Sequence, residues 1–304
     1  MATWQKNGTT IVNSTYLSNP HDVYIDKNNI MYIVDTGNKR IQRLFPNSTI
    51  KTFIDNNTNP SIFNQQSYFC AITGDLKGNL YILDGVNNRV IKWTPDYMNG
   101  TIVAGGNGLG TSPYQLYSPE ETFFDDNTSF IWIADTYNSR IVRWESPSTS
   151  IIVCGSNGSN SNQFFQPYGL FVDTINSNML YVADTFNHRI QRWLPGAING
   201  TTIAGQTGIS GSSLNLLYYP VSVIVDTNKN LYISNFGTSS IIQWTIESSY
   251  GNVIVGTSSY GTSINQLYQQ YHFKFDSDGS IIVPDSGNNR IQKFSIICSK
   301  FQFI

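Results

Sequence analysis

The stretch Leu180-Tyr181-Val182-Ala183-Asp184-Thr185-Phe186-Asn187-His188-Arg189-Ile190-Gln191-Arg192-Trp193 decides how this chain folds. A short apolar, partly β-branched run ends on an acid, an arginine follows five residues later and a tryptophan nine residues later. The same register recurs around Asp35, Asp84, Asp135, Asn235 and Asp285, so successive anchors stand 49, 51, 49, 51 and 50 residues apart. The residue five beyond the anchor is Arg40, Arg89, Arg140, Arg189, Ser240 or Arg290. Nine beyond it stands Leu44, Trp93, Trp144, Trp193, Trp244 or Phe294.

Around each anchor lies an upstream apolar segment, such as Leu170-Phe171-Val172-Asp173, and usually a downstream one, such as Thr101-Ile102-Val103-Ala104. The runs are too short and too β-branched for helices, and turn residues separate them. Four short strands every fifty residues, six times over, is the pattern of a β-propeller blade. The expected fold is therefore all-β: one six-bladed propeller over residues 1–304, with four antiparallel strands per blade. Asn7-Gly8-Thr9-Thr10-Ile11-Val12 resembles the outer-strand segments Asn99-Gly100-Thr101-Ile102-Val103 and Asn199-Gly200-Thr201-Thr202-Ile203, yet precedes the first anchor. It is expected to close the ring as the fourth strand of blade six, which removes exposed sheet edges.

Asp184-Thr185-Phe186-Asn187-His188-Arg189-Ile190 resembles the NHL repeat, named for an Asn-His-Leu run, and all six copies align with it. Blade five departs furthest, with Asn235, Thr238 and Ser240 where Asp, Asn and Arg are usual. The resemblance implies the propeller fold and leaves function open, because NHL-like propellers include protein-binding, RNA-binding, sensor and metal-dependent enzymatic members.

Composition narrows the classes. Only 12% of the 304 residues are charged and the net charge is -2, which disfavours nucleic acid as a partner because phosphate neutralisation needs a concentrated basic field. No run of about 18 apolar residues exists, so no membrane insertion is expected, and the start of the chain lacks a signal-peptide pattern, as in a domain taken from a longer protein. Cys70, Cys154 and Cys298 show no metal-ligand spacing and read as buried packing residues. Eight glycosylation sequons begin at Asn7, Asn13, Asn47, Asn56, Asn99, Asn127, Asn157 and Asn199. They tilt the compartment toward the extracellular side. A monomeric domain is expected.

A residue type repeated in every blade is expected to serve the fold. The recurrent Asp should accept turn N–H groups, the Asn should take left-handed backbone, the Arg should pair with carboxylates or carbonyls, and the Trp should fill the core. Function is sought where blades differ, first on the upper face, formed by the loops leading into the innermost strands and by the hairpins between second and third strands. There Tyr137 and Phe186 stand two residues after their anchors on neighbouring blades, with His188 beside Phe186. This group is a candidate contact patch for a protein, peptide or glycan.

A second candidate lies on the axis. Four and five residues before the acid that ends each innermost strand, the upper mouth of the channel should carry His21, Asp22, Glu120, Glu121 and His272. Carboxylates and imidazoles converging there could bind Ca²⁺ or Zn²⁺. By resemblance to amidating lyases and gluconolactonase-like or paraoxonase-like hydrolases, they could then support metal-dependent hydrolysis or elimination. The lyase pattern is expected to need several zinc-binding histidines, and only His21, His188 and His272 exist. The Gly-rich loops at Gly105–Gly110, Gly155–Gly158 and Gly205–Gly208 lack the helix and the Gly-Lys-Ser/Thr of a phosphate cradle. Tyr117, Phe165, Tyr218 and Tyr268, repeated in register on these loops, read as structural. The leading expectation is a non-catalytic interaction scaffold. The alternative is a metal-dependent hydrolase or lyase.

Overall fold

The computed structural model describes residues 2–55, 67–95, 100–175 and 178–298. Six four-stranded antiparallel sheets are arranged as blades. Blade one comprises Pro20–Ile25, Met31–Asp35, Arg40–Leu44 and Ile50–Ile54, and the next four blades repeat this order from the inner to the outer strand. Blade six takes Lys274–Phe275, Ile281–Asp285 and Arg290–Phe294 from one end of the chain and Thr9–Val12 from the other. Thr9 pairs with Lys293 and Val12 with Ile291, so the predicted closure is present.

The closure extends further than the sequence indicated. Thr3–Trp4 pairs with Ile296–Cys298 as a separate two-stranded ribbon. Trp4 is buried, donates Nε1–H to the Gly279 carbonyl at 2.8 Å and meets Tyr232 of blade five edge-on. Two N-terminal segments thus pin the last blade.

Second strands such as Leu80–Asp84 are buried along their whole length because a blade is covered on both faces by its neighbours. Trp93, Trp144, Trp193, Trp244 and Phe294 are buried between blades, as expected, while Leu44 is only half-buried. Trp193 and Trp244 donate their indole N–H groups to Gln191 Oε1 and the Ser248 carbonyl, both at 3.0 Å. Cys70 and Cys154 are buried free thiols. The side chain of Cys298 lies outside the described residues.

Each recurrent acid is a clamp. In blade four, Asp184 Oδ1 accepts the backbone N–H of Phe165 in the incoming loop, while Oδ2 accepts from Asn187 Nδ2 at 2.9 Å and Arg189 Nε at 2.7 Å. Arg189 then reaches the loop carbonyls of Asn160 and Gln163. The same arrangement holds at Asp135 with Asn138 and Arg140, and at Asp285 with Asn288 and Arg290. The Asn was expected to take left-handed backbone; instead its amide serves the acid, and the following residue, His188 (φ 56°) or Asn289 (φ 53°), takes the left-handed conformation. Blade five solves the same problem without charge. Asn235 Oδ1 catches Tyr218 N–H at 2.7 Å, its amide donates to Thr238 Oγ1, and Thr238 bonds Ser240.

Neighbouring blades are joined by one further bond at every interface, which the sequence reading missed. Thr36, Thr136, Thr185 and Ser286 follow their anchors directly and donate to the carbonyls of Phe69, Pro167, Pro220 and Pro20 in the next blade. Where blade two carries Gly85, Cys70 Sγ donates to the Pro119 carbonyl instead, at 3.3 Å. At the interface of blades five and six, Gln270 donates to the Asn235 carbonyl. Among the described residues no helix is long and apolar enough to cross a membrane.

Candidate functional site

The innermost strands put two layers of side chains on the axis. Two residues before each terminal acid stand Tyr24, Thr73, Phe123, Phe171, Ile224 and Lys274, all half-buried, as groups facing a channel must be. Four residues before it stand Asp22, Ala71, Glu121, Gly169, Ser222 and His272. The charged members of this upper layer are buried.

The five axial candidates are brought to one region, where they divide into separate partnerships. Asp22 ties blades together, its Oδ1 accepting the N–H of Val23 and its Oδ2 the N–H of Ile72 in blade two. Burial raises its pKa above the usual carboxylate value, against the pull of Lys274, whose Nζ lies 3.6 Å from Oδ1, and of His272. Glu121 Oε2 lies 2.8 Å from His272 Nδ1. Burial alone would raise Glu121 and lower His272. The mutual attraction, aided by Lys274 for the acid and Asp22 for the imidazole, reverses both, so Glu121 is held below and His272 above its ordinary value.

His21 belongs to an aromatic group. Its ring stacks on Tyr271 at 4.1 Å and meets Tyr68 edge-on at 5.4 Å. The Tyr68 hydroxyl and the Asn19 amide both face His21 Nε2, which makes that nitrogen the acceptor. Burial, with the charge of His272, pushes its pKa down to about 3. Glu120 is half-buried at the upper mouth, close enough to Tyr68, Tyr168 and Tyr271 for its charge to disfavour ionising each phenol. Burial, opposed by His272 and reinforced by Glu121, pushes the Glu120 carboxyl up to about 7.

This set does not fit Ca²⁺ or Zn²⁺. Among the described residues no three His, Cys, Asp or Glu side chains are placed to hold a metal ion. Asp22, Glu121 and His272 are engaged with one another, with Lys274 or with backbone N–H groups, His21 Nε2 accepts from Tyr68 and Asn19, and the ammonium of Lys274, which the sequence reading overlooked, stands where a cation would meet its repulsion.

On the upper face, Tyr137 is 47% exposed and lies 5.1 Å from Tyr117. Phe186 is half-buried between Phe165 and Tyr219. His188 does not join this surface: it is buried, its Nδ1 accepts the backbone N–H of Tyr219 and its ring packs on Tyr218 and Tyr219. The loop aromatics passed over as structural are structural only in their backbones. Tyr117, Phe165, Tyr218 and Tyr268 give their N–H groups to the anchor residues yet remain 37% to 42% exposed. In blades five and six, Gly237 and Gly287 make room for these rings, since a Cβ there would fall 2.5 Å and 2.4 Å from Tyr218 and Tyr268. The result is an arc of aromatic rings over blades three to six.

Six of the glycosylation sequons, at Asn7, Asn13, Asn47, Asn127, Asn157 and Asn199, place their asparagines at exposed positions between strands; Asn56 and Asn99 lie outside the described residues.

Sheet order, closure and the repeated clamp together define a six-bladed β-propeller. The NHL repeat profile matches residues 17–44, the segment whose register the other blades reproduce, and this match together with the six blades supports an NHL-repeat propeller. Among proteins of curated function none matches the sequence at a significant level. Solved structures share the fold at low identity. Virginiamycin B lyase from Staphylococcus aureus is 13% identical, with 98% of this chain and 100% of that one covered and a TM-score of 0.64. A gluconolactonase from Xanthomonas campestris is 12% identical over 94% and 88%, with a TM-score of 0.69. An auxiliary nutrient binding protein from Bacteroides thetaiotaomicron is 10% identical over 96% and 72%, with a TM-score of 0.71.

Proposed function

We propose that this propeller is a non-catalytic interaction module that recognises a protein, peptide or glycan partner through the upper face. The observation that carries this reading is the arc formed by Tyr117, Tyr137, Phe165, Tyr218 and Tyr268, exposed rings on backbones fixed by the anchor clamps. Rigid aromatics offer contact area at low entropic cost and dominate binding surfaces. The nutrient binding protein of the same fold is in keeping with such a role.

The test is a glycan array and a peptide array probed with the wild type and with Tyr117→Ala/Tyr137→Ala/Tyr218→Ala. Loss of a saturable ligand with an unchanged unfolding midpoint supports the reading. A ligand that binds the triple variant undiminished overturns it.

A second reading, an enzyme working at the axial mouth, is favoured by one observation: Glu120, titrating near 7 beside buried His272, is suited to proton transfer. The lyase and the gluconolactonase of the same fold are in keeping with it. Turnover of a lactone or of virginiamycin B that disappears in Glu120→Gln would support this reading, and its absence in the wild type would end it.

A further inference from the structure

The lower half of the channel is a chamber of about 1120 Å³ that opens opposite the aromatic arc, between the turns that join first and second strands. Its size slightly exceeds the range of small-molecule sites, roughly 300–1,000 Å³. The half-buried side chains of Tyr24, Phe123, Phe171 and Ile224 line it and present apolar surface to water. At its inner end stand Lys274 and Glu121. Glu121 is matched by His272. Lys274 is not matched as closely: its side chain is 28% exposed, and its 3.6 Å separation from Asp22 is an ion-pair distance, longer than a hydrogen bond. Asp22 and Glu121 balance its charge, yet no acceptor among the described residues lies within hydrogen-bond distance of Nζ, so its N–H donors face the chamber.

We infer that this chamber binds a small amphiphilic anion, with an aromatic or aliphatic body against Phe123, Phe171 and Ile224 and a single carboxylate or sulfonate head on Lys274. The pairing follows from the wall chemistry. An apolar ring with the Lys274 ammonium at its inner end rewards burial of a hydrophobic body and a charge-assisted bond to an acceptor head, while Glu121 beside it and Asp26, Asp75, Asp276 and Asp278 along the wall limit that head to a single negative charge. A fully polar ligand would leave the ring surface wet, and a cationic head would meet Lys274. The site is independent of the upper-face reading and lies on the other side of the charged layer that contains Asp22, Glu121 and His272.

The experiment titrates the protein with 8-anilinonaphthalene-1-sulfonate, an anionic aromatic probe, and with neutral N-phenyl-1-naphthylamine, following fluorescence. One saturable site for the anionic probe is expected. Lys274→Gln should weaken it about tenfold, as loss of a charge-assisted contact does, and leave the neutral probe within about twofold. Lys274→Arg, which keeps the charge should the Gln variant fold poorly, should retain the site, and Ile224→Trp, which fills the chamber, should block both probes. Tyr117→Ala/Tyr137→Ala should leave binding unchanged. Absence of a saturable site in the wild type, equal loss of both probes in Lys274→Gln, or loss on changing the upper-face pair would each overturn the proposal.

Discussion

Glu121 Oε2 stands 2.8 Å from His272 Nδ1, linking blades three and six across the axis of the ring. Both groups are buried, at 4% and 1% exposure, so each is the other's compensation for leaving water. Glu121→Gln should therefore cost about 3 kcal/mol or more at pH 7, because it strands a buried imidazole that Asp22 alone must balance. Urea unfolding measures the loss, and NMR titration should find the His272 pKa lowered from its raised wild-type position.

Glu120 gives a pH dependence of a definite sign. Its folded-state pKa of about 7 lies above the ordinary 4.5, so the folded protein holds this proton more tightly than the unfolded chain. The stability it contributes is present below about pH 4.5 and is lost as pH rises through 7. Between pH 5 and pH 8 the balance should shift toward Glu120→Gln by about 1–2 kcal/mol, allowing for the solvent that reaches the mouth. Chemical denaturation of both proteins at the two pH values checks this.

His21 acts in the opposite sense. With a folded pKa of about 3 against an ordinary 6.5, its contribution is present above pH 6.5 and is lost as pH falls toward 3. In an NMR titration the His21 ring should stay neutral down to about pH 4, while His272, held above its ordinary value by Glu121 and Asp22, should take up its proton at a much higher pH. His21→Gln should flatten the acid limb of the stability curve. An unchanged limb would place acid sensitivity elsewhere.

The neutral clamp of blade five predicts an asymmetry between blades. Asp184→Ala strands Arg189 and the Phe165 N–H, and should cost about 3–5 kcal/mol. Asn235→Asp should also destabilise the fold, because the new buried carboxylate would face Thr238 and Ser240 without an arginine. Asn235→Asp/Ser240→Arg should recover part of that loss. Thermal unfolding of the three variants tests the ordering.

Fold was legible because a propeller repeats its local requirements. Five of the six blades carry an acid at one hairpin and five an aromatic at one strand end, with short buried strands between, so six copies in register fix blade number, and the displaced copy at Asn7–Val12 fixes closure. The hydroxyl bonds between blades were also visible in principle, since Thr36, Thr136, Thr185 and Ser286 recur directly after their anchors. Trp4 carries no repeat partner, so its docking beneath blade six had no such signal.

For the site, strand spacing marks the upper ring of the channel, and repetition marks the residues that serve the blades. The tertiary structure alone decided their chemistry. Strand register brings Glu121 from blade three against His272 from blade six, contacts between residues 151 positions apart, and it sets Lys274 near Asp22. Those pairings turn three members of a metal-like list, Asp22, Glu121 and His272, into ion-paired groups. His188 was lost from the contact patch for a similar reason: its place after Asn187 was readable, but only packing shows its ring turned onto Tyr218 and Tyr219. Local periodicity specifies where a side chain starts, and burial and charge contributed by distant strands decide what it can do.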